Sequence, residues 1–330
     1  MKICLYGAGA IGIAIGARLA AAGHTVSAVA RGATLAALRR DGLRLIDGTG
    51  EHRCPAHADE NPARLGPQDL VVIAVKGPAL PAIAAGIAPL LGPDTMVLSA
   101  MNGVPWWFFD RPGHPLEGTR LASVDSGDLL HRTIAAPRIL GAVVHLAATT
   151  PEPGVSRIHF GNRMILGEAA GAVTPRLESL AADLRCGGFD IDLSADIQRD
   201  IWFKLWGNMT MNPISALTGA TCDRILDDPL VYAFCCAVMT EAAAIGERIG
   251  CPIAQTPVER NAITRQLGAF KTSMLQDVEA GRLLEIDALL GVVHEIAGRV
   301  GVEVPHTAAL LGLTRLFARG RGLHPAAPGA

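Results

Sequence analysis

The sequence predicts a mixed α/β half followed by an all-helical half, and three observations carry that prediction. Short apolar runs alternate with helical stretches from residue 2 to about residue 99, the βαβ pattern of a parallel sheet with helices on both faces. The first strand-to-helix turn reads Gly7-Ala8-Gly9-Ala10-Ile11-Gly12. Beyond about Asp196 no strand-like pattern survives. The expected division is therefore residues 1–194, a Rossmann-type dinucleotide-binding domain, and residues 195–330, a helical substrate and catalytic domain.

The elements follow in order. Lys2–Tyr6 is a short apolar run, as a buried strand requires. After the glycine turn an Ala-rich helix runs through Ala22, and Gly23 closes it. Thr25–Ala30 is a second strand, Ala33–Arg40 a helix, and Leu70–Val75 a third strand. A Pro-bounded helix near 81–91 precedes a strand at Thr95–Ser99. From about Arg120 the texture becomes strand-rich, with Pro and Gly turns. Leu121–Asp125, Arg138–Thr149, Val155–Phe160 and Arg163–Leu166 read as strands that extend the sheet, partly antiparallel. Pro175–Arg185 is a helix and Asp190–Leu193 a last strand. Helical patterns then cover 196–212, 229–250, 257–280, 283–300 and 306–319, and the Gly/Pro-rich tail from Gly320 is expected to fray.

Composition excludes several classes. A chain of 330 residues, half of them hydrophobic, can bury two cores. Its formal net charge of -2, without a basic stripe, argues against nucleic acid as partner. Seven cysteines without CxxC spacing read as reduced thiols of a cytoplasmic protein, with no metal site. The apolar N-terminus resembles a signal peptide, but Arg18 and the spaced glycines argue against one. No charge-free apolar run of about 18 residues suggests a membrane span.

The glycine turn has a specific chemistry. In a dinucleotide fingerprint Gly7 makes the tight turn, Gly9 admits a pyrophosphate to the backbone, and Gly12 lets helix and sheet pack closely. The helix N-terminus then presents unpaired N–H groups to phosphate. The second strand ends in Ala30-Arg31-Gly32, where an NAD enzyme would place an acid. Arginine suits a 2′-phosphate, so NADP(H) is the expected cofactor. Lys76 and Asn102-Gly103 follow strands on the same ligand-binding edge of the sheet.

In the helical half, Lys204, Asn208 and Asn212 recur every fourth residue. Such steps drift only about 40° and rise about 6 Å, so one helix face carries an ammonium and two carboxamides. Buried polar groups need partners, and a polar ligand is a natural one. Thr272-Ser273-Met274-Leu275-Gln276-Asp277 and Glu285-Ile286-Asp287 are the other candidate segments, with Glu285 a suitable partner for Lys204. Each residue also has a plain reading. Lys204 fits an ion pair with Asp200, Asn212 a helix cap before Pro213, Ser273 an N-cap and Glu285 a first-turn acid.

These motifs, in this order and spacing from residue 1 to about 310, resemble the ketopantoate reductase (2-dehydropantoate 2-reductase) family. The resemblance implies NADPH-dependent reduction of 2-dehydropantoate to (R)-pantoate, in pantothenate and coenzyme A biosynthesis. It implies that Lys204 is the catalytic general acid and Glu285 the glutamate that orients the substrate. Asn208, Asn212 and Ser273 match the substrate-binding residues. The fingerprint loop from Gly7 to Gly12 (Ala8, Ala10 and Ile11 included), Arg31, Lys76 and Asn102 match the cofactor contacts. Expected partners are a small 2-oxo acid and, as an option, a second copy of the chain; a membrane is not expected. One departure stands out: Phe270, where relatives often carry a polar residue near the substrate. It makes a bulkier or less hydroxylated 2-oxo acid the alternative substrate. A β-hydroxyacid dehydrogenase of the 6-phosphogluconate type is a poorer match, because Ala122–Asp128 lacks its glycine-rich substrate loop. A non-catalytic NADP(H) sensor would need neither Lys204 nor Glu285.

Overall fold

The computed structural model describes residues 1–325. Its contacts divide the chain into two units. The first comprises Met1–Met101, Asp110–Pro112 and Asp128–Asp200; the second takes Asn102–Phe109, Gly113–Gly127 and the chain from Ile201 onward. The division differs from a single cut after residue 194. Two segments early in the chain belong to the helical unit, and the last crossing falls inside a helix.

The first unit is built on a ten-stranded mixed sheet. Its strands are β1 Lys2–Tyr6, β2 Thr25–Val29, β3 Leu43–Asp47, β4 Gly50–Cys54, β5 His57–Asp59, β6 Gln68–Ile73, β7 Leu91–Ser99, β8 Ile139–Thr149, β9 Val155–Glu168 and β10 Asp190–Ser194. Their spatial order is β4-β3-β9-β8-β7-β6-β1-β2-β5, with β10 beside β9. The Rossmann-like core β8-β7-β6-β1-β2-β5 is parallel, and β8 and β9 form a long antiparallel pair. Ile3, Cys4, Leu5 and Tyr6 are all buried, as expected of a parallel strand covered on both faces.

The unit's helices are α1 Ala10–Ala21, α2 Gly32–Asp41, α3 Leu80–Gly86, α4 Leu129–Thr133 and α5 Pro175–Cys186. Helix α1 touches β1, β2, β3, β4, β8, β9 and α5, so the sheet curves around it. It ends where the N–H groups of Gly23 and His24 donate to Ala20 and Leu19, a closure that satisfies two terminal carbonyls. Arg18, the charge within this apolar stretch, lies with its Cζ 4.3 Å from the centre of the Phe189 ring and donates to Asn162 and to the Gly188 carbonyl.

The helical unit is organised around α6, Ile197–Thr218, whose residues from 209 to 216 are all buried. The others are α7 Cys222–Asp227, α8 Pro229–Arg248, α9 Pro257–Arg265, α10 Ser273–Glu279, α11 Val292–Val300 and α12 Pro305–Gly320. Trp206 and Trp202 of α6 donate their indole N–H to the Met239 and Ala242 carbonyls of α8, at 2.7 and 3.3 Å. Helix α8 is long and apolar enough to cross a membrane by length and composition. Within it, however, Glu241 caps α12, accepting from the backbone of His306 and Thr307 at 2.8 Å.

Several expectations need correcting. Residues 121–125 form turns rather than a strand, held where Glu295 accepts from Ala122 and Ser123. The 257–280 stretch is two helices, α9 and α10, separated by residues 266–272. The hairpin of β3 and β4 was hidden because β4 is almost entirely exposed and carries no apolar alternation. Of the tail expected to fray, residues 320–325 are tied down: Leu323 is buried and its carbonyl accepts from Leu284 at 2.9 Å. Residues 326–330 lie outside the described residues.

Candidate active site

In the first unit, two of the three fingerprint glycines answer a steric demand of the fold, and the third leaves the loop open. Gly7 sits at φ +117°, and a Cβ there would lie 2.7 Å from the Ala74 carbonyl oxygen. A Cβ on Gly12 would lie 1.9 Å from the Gly7 oxygen, so only glycine lets α1 start this close to the turn. At Gly9, the N-cap of α1, a Cβ would meet nothing within 4 Å. The loop surface is thus open where a pyrophosphate needs to approach, and the site fits a dinucleotide. The same loop includes Ala8, Ala10 and Ile11, all partly exposed. Lys76 follows the Ala74-Val75 wall of the Gly7 turn and caps a short 3₁₀ turn, with its ammonium nitrogen buried.

Arg31 caps α2 in extended conformation at the end of β2 and is exposed. In the neighbouring strand β5, Asp59 stands opposite Val29, two residues before Arg31. That carboxylate is already engaged. It accepts from Asn61 N–H at 2.8 Å, pairs with Arg39 at 3.2 Å and is buried.

In the helical unit the chain brings together three residues distant in sequence. Lys204 Nζ donates to Asn102 Oδ1 at 3.0 Å. Burial pulls the Lys204 pKa down to about 8, and the charge of Glu285 opposes that fall. The acid acting on Lys204 is therefore Glu285; Asp200 instead accepts from the Ser194 hydroxyl at 2.5 Å.

Backbone chemistry fixes this trio. Glu285 immediately precedes a helical run that contains a π turn, Asp287–Gly291. Such turns free carbonyls from the regular ladder and recur at functional sites. Here the Ala288 carbonyl accepts from Val104 N–H at 3.0 Å. Gly103, at φ +81°, makes the approach feasible, because a Cβ there would lie 2.2 Å from the Ala288 oxygen. The segment carrying Asn102 is thus docked on the helix that follows Glu285. On its far side Asp287 pairs with Arg315 at 2.6 Å and with His324 at 3.1 Å.

The remaining candidates are placed as follows. Helix α6 runs unbroken past Pro213 to Thr218, so Asn212 is an interior residue and not a cap. Proline at 213 removes the N–H that would bond the Met209 carbonyl. Asn212 is only 6% exposed, and among the described residues neither it nor Asn208 makes a side-chain hydrogen bond. Among the described residues, these two carboxamides on the Lys204 face of α6 therefore have no side-chain hydrogen-bond partner. Ser273 is not an N-cap: Thr272 takes that place, accepting from Leu275 N–H at 3.2 Å, and Ser273 is the exposed first residue of α10. Phe270 is half-buried, its carbonyl accepting from Cys222 N–H at 3.0 Å. Sequence reasoning took Asn102 for a cofactor contact and missed its bond to Lys204, since no local pattern announces a pairing across so much chain.

Comparison with known proteins adds the following. A family model described as ketopantoate reductase PanE/ApbA matches residues 3–171, and that of its C-terminal part matches residues 196–318. A 2-dehydropantoate 2-reductase of Mesorhizobium japonicum is 44% identical over 325 residues, covering 98% of this chain and 100% of the relative. Among solved structures, a putative ketopantoate reductase from Ralstonia solanacearum is 58% identical with a TM-score of 0.95, covering 98% of this chain and 99% of that one. D-mandelate dehydrogenase, solved with NADH and anilino(oxo)acetate, has a TM-score of 0.83 at 20% identity, a likeness of fold.

Proposed function

This chain belongs to the ketopantoate reductase family, and from that premise we propose that it reduces 2-dehydropantoate to (R)-pantoate with NADPH, a step toward pantothenate and coenzyme A. The observation that carries the reading is the Lys204 ammonium, bonded to Asn102 at 3.0 Å, with a pKa lowered to about 8. A proton donor works best when its pKa lies near the working pH.

The fingerprint loop, Arg31 and Lys76 would hold the cofactor, which when bound supplies a hydride to the ketone carbon. Reduction places negative charge on the ketone oxygen. Lys204 stabilises that charge and delivers a proton from Nζ. Asn102 fixes the direction of the ammonium by accepting from it, and Glu285 keeps it protonated against the cost of burial. Asn208 and Asn212 offer donors and acceptors to the substrate from the same helix face. Ser273, exposed at the start of α10, is the remaining proposed substrate contact. NADP is preferred over NAD because Arg31 is exposed and the nearby Asp59 is occupied by Arg39 and Asn61.

A second reading keeps the reaction and changes the acid. Phe270 precedes Ser273 by three residues and offers an aromatic face where a hydroxylated chain would prefer polar contacts. Steady-state kinetics on 2-dehydropantoate beside branched and aromatic 2-oxo acids, each with NADPH and NADH, tests both. A 2-dehydropantoate kcat/KM far below that of another acid would remove the first reading and leave the second.

A further inference from the structure

Gly207 lies inside α6, three residues after Lys204 and one before Asn208. A glycine in a helix interior is unfavourable relative to alanine, so its presence calls for a cause. That cause is Arg260 of α9. A Cβ at position 207 would lie 3.1 Å from both Nε and Nη2 of Arg260. The guanidinium rests on bare helix backbone, its Cζ 5.3 Å from the centre of the Phe203 ring. Its Nε is sealed from solvent and has no hydrogen-bond partner among the described residues. No carboxylate opposes it among those residues either, and burial lowers its pKa.

A guanidinium partly withdrawn from water without a counter-ion is costly, and a carboxylate relieves the cost best because its two oxygens match the planar fork. Position 207 stands about 60° around the helix from Lys204, with Cβ positions three apart about 5–6 Å from each other, so the guanidinium packed on Gly207 lies on the flank of α6 next to the one that bears Lys204. We propose that Arg260 binds the carboxylate of the 2-oxo acid, in a space kept clear by Gly207, while Lys204 serves the adjacent ketone. The proposal deepens the function argued above and rests on it.

The test compares wild type with Arg260→Gln, Arg260→Lys and Gly207→Ala, using NADPH and the best 2-oxo acid beside its neutral methyl ester. Arg260→Gln is expected to raise KM for the acid about 10–100-fold, with kcat changed far less, and to erase the preference for acid over ester. Arg260→Lys keeps the charge but not the fork and should fall between. Gly207→Ala should raise KM for the acid while Tm holds or rises. Equal losses on acid and ester in Arg260→Gln, or unchanged KM in both Arg260→Gln and Gly207→Ala, would overturn the proposal and leave the arginine a packing element. Should wild type turn over no 2-oxo acid, the proposed function itself fails. Calorimetric titration with 3-methyl-2-oxobutanoate then still reads the site: binding weakened by Arg260→Gln supports the anion site, and no binding to wild type overturns it.

Discussion

Lys204 and Asn102 meet through a 3.0 Å hydrogen bond from Nζ to Oδ1, although one stands on the central helix α6 and the other on a segment that follows strand β7. The segment that carries Asn102 docks through Val104 N–H on the Ala288 carbonyl, which lies within the π turn that follows Glu285. Lys204, Asn102 and Glu285 thus belong to one compact unit, and their coupling is measurable.

The first consequence concerns pH. Lys204 is protonated below its pKa of about 8 and neutral above it. A general acid must carry its proton, so kcat for ketone reduction should be level below pH 8 and fall as pH rises through it. Alcohol oxidation should show the opposite limb. Glu285→Gln removes the charge that raises the pKa, so the limb should move to lower pH. A limb that stays in place would show that Glu285 does not act on Lys204.

Asn102 should matter through direction and not through charge. Asn102→Ala removes the acceptor for Nζ and should lower kcat about tenfold or more, since hydrogen bonds to charged groups contribute about 1.5–3 kcal/mol. Asn102→Asp adds a carboxylate at the same place and should move the pH limb upward. Titrating kcat in both variants separates the two effects.

Cofactor choice rests on Arg31. Arg31→Ala should raise KM for NADPH about tenfold or more and leave KM for NADH nearly unchanged, because only NADPH carries the 2′-phosphate. Equal weakening of both cofactors would contradict this role.

Gly103→Ala tests the docking itself. Its Cβ would meet the Ala288 oxygen at 2.2 Å in a left-handed conformation, which should cost about 2–3 kcal/mol of stability and a few degrees of Tm or more. Gly298→Ala on α11, where a Cβ meets nothing within 4 Å, should instead gain up to about 1 kcal/mol. Thermal denaturation of the two variants reads the contrast.

Much of the fold was legible because its elements carry strong local periodicity. The fingerprint turn, β1, β6 and α5 fall where apolar runs, glycines and caps place them. The exposed strand β4 was illegible because register with β3, and not burial, holds it in the sheet. Pro213 misled for a related reason: packing around α6 keeps the helix running although one backbone bond is lost. The Lys204/Asn208/Asn212 row could be read from spacing alone. Asn102 as the partner of Lys204, and Arg260 packed on Gly207, depend on contacts between distant segments that no local pattern encodes.

The most direct measurement is turnover of NADPH and a 2-oxo acid by Lys204→Ala beside wild type, with NADPH affinity measured separately. With Lys204 as proton donor, kcat should fall by about 10²–10⁴ with NADPH affinity unchanged, because a general acid is typically worth that factor. Wild-type turnover in Lys204→Ala would contradict that role.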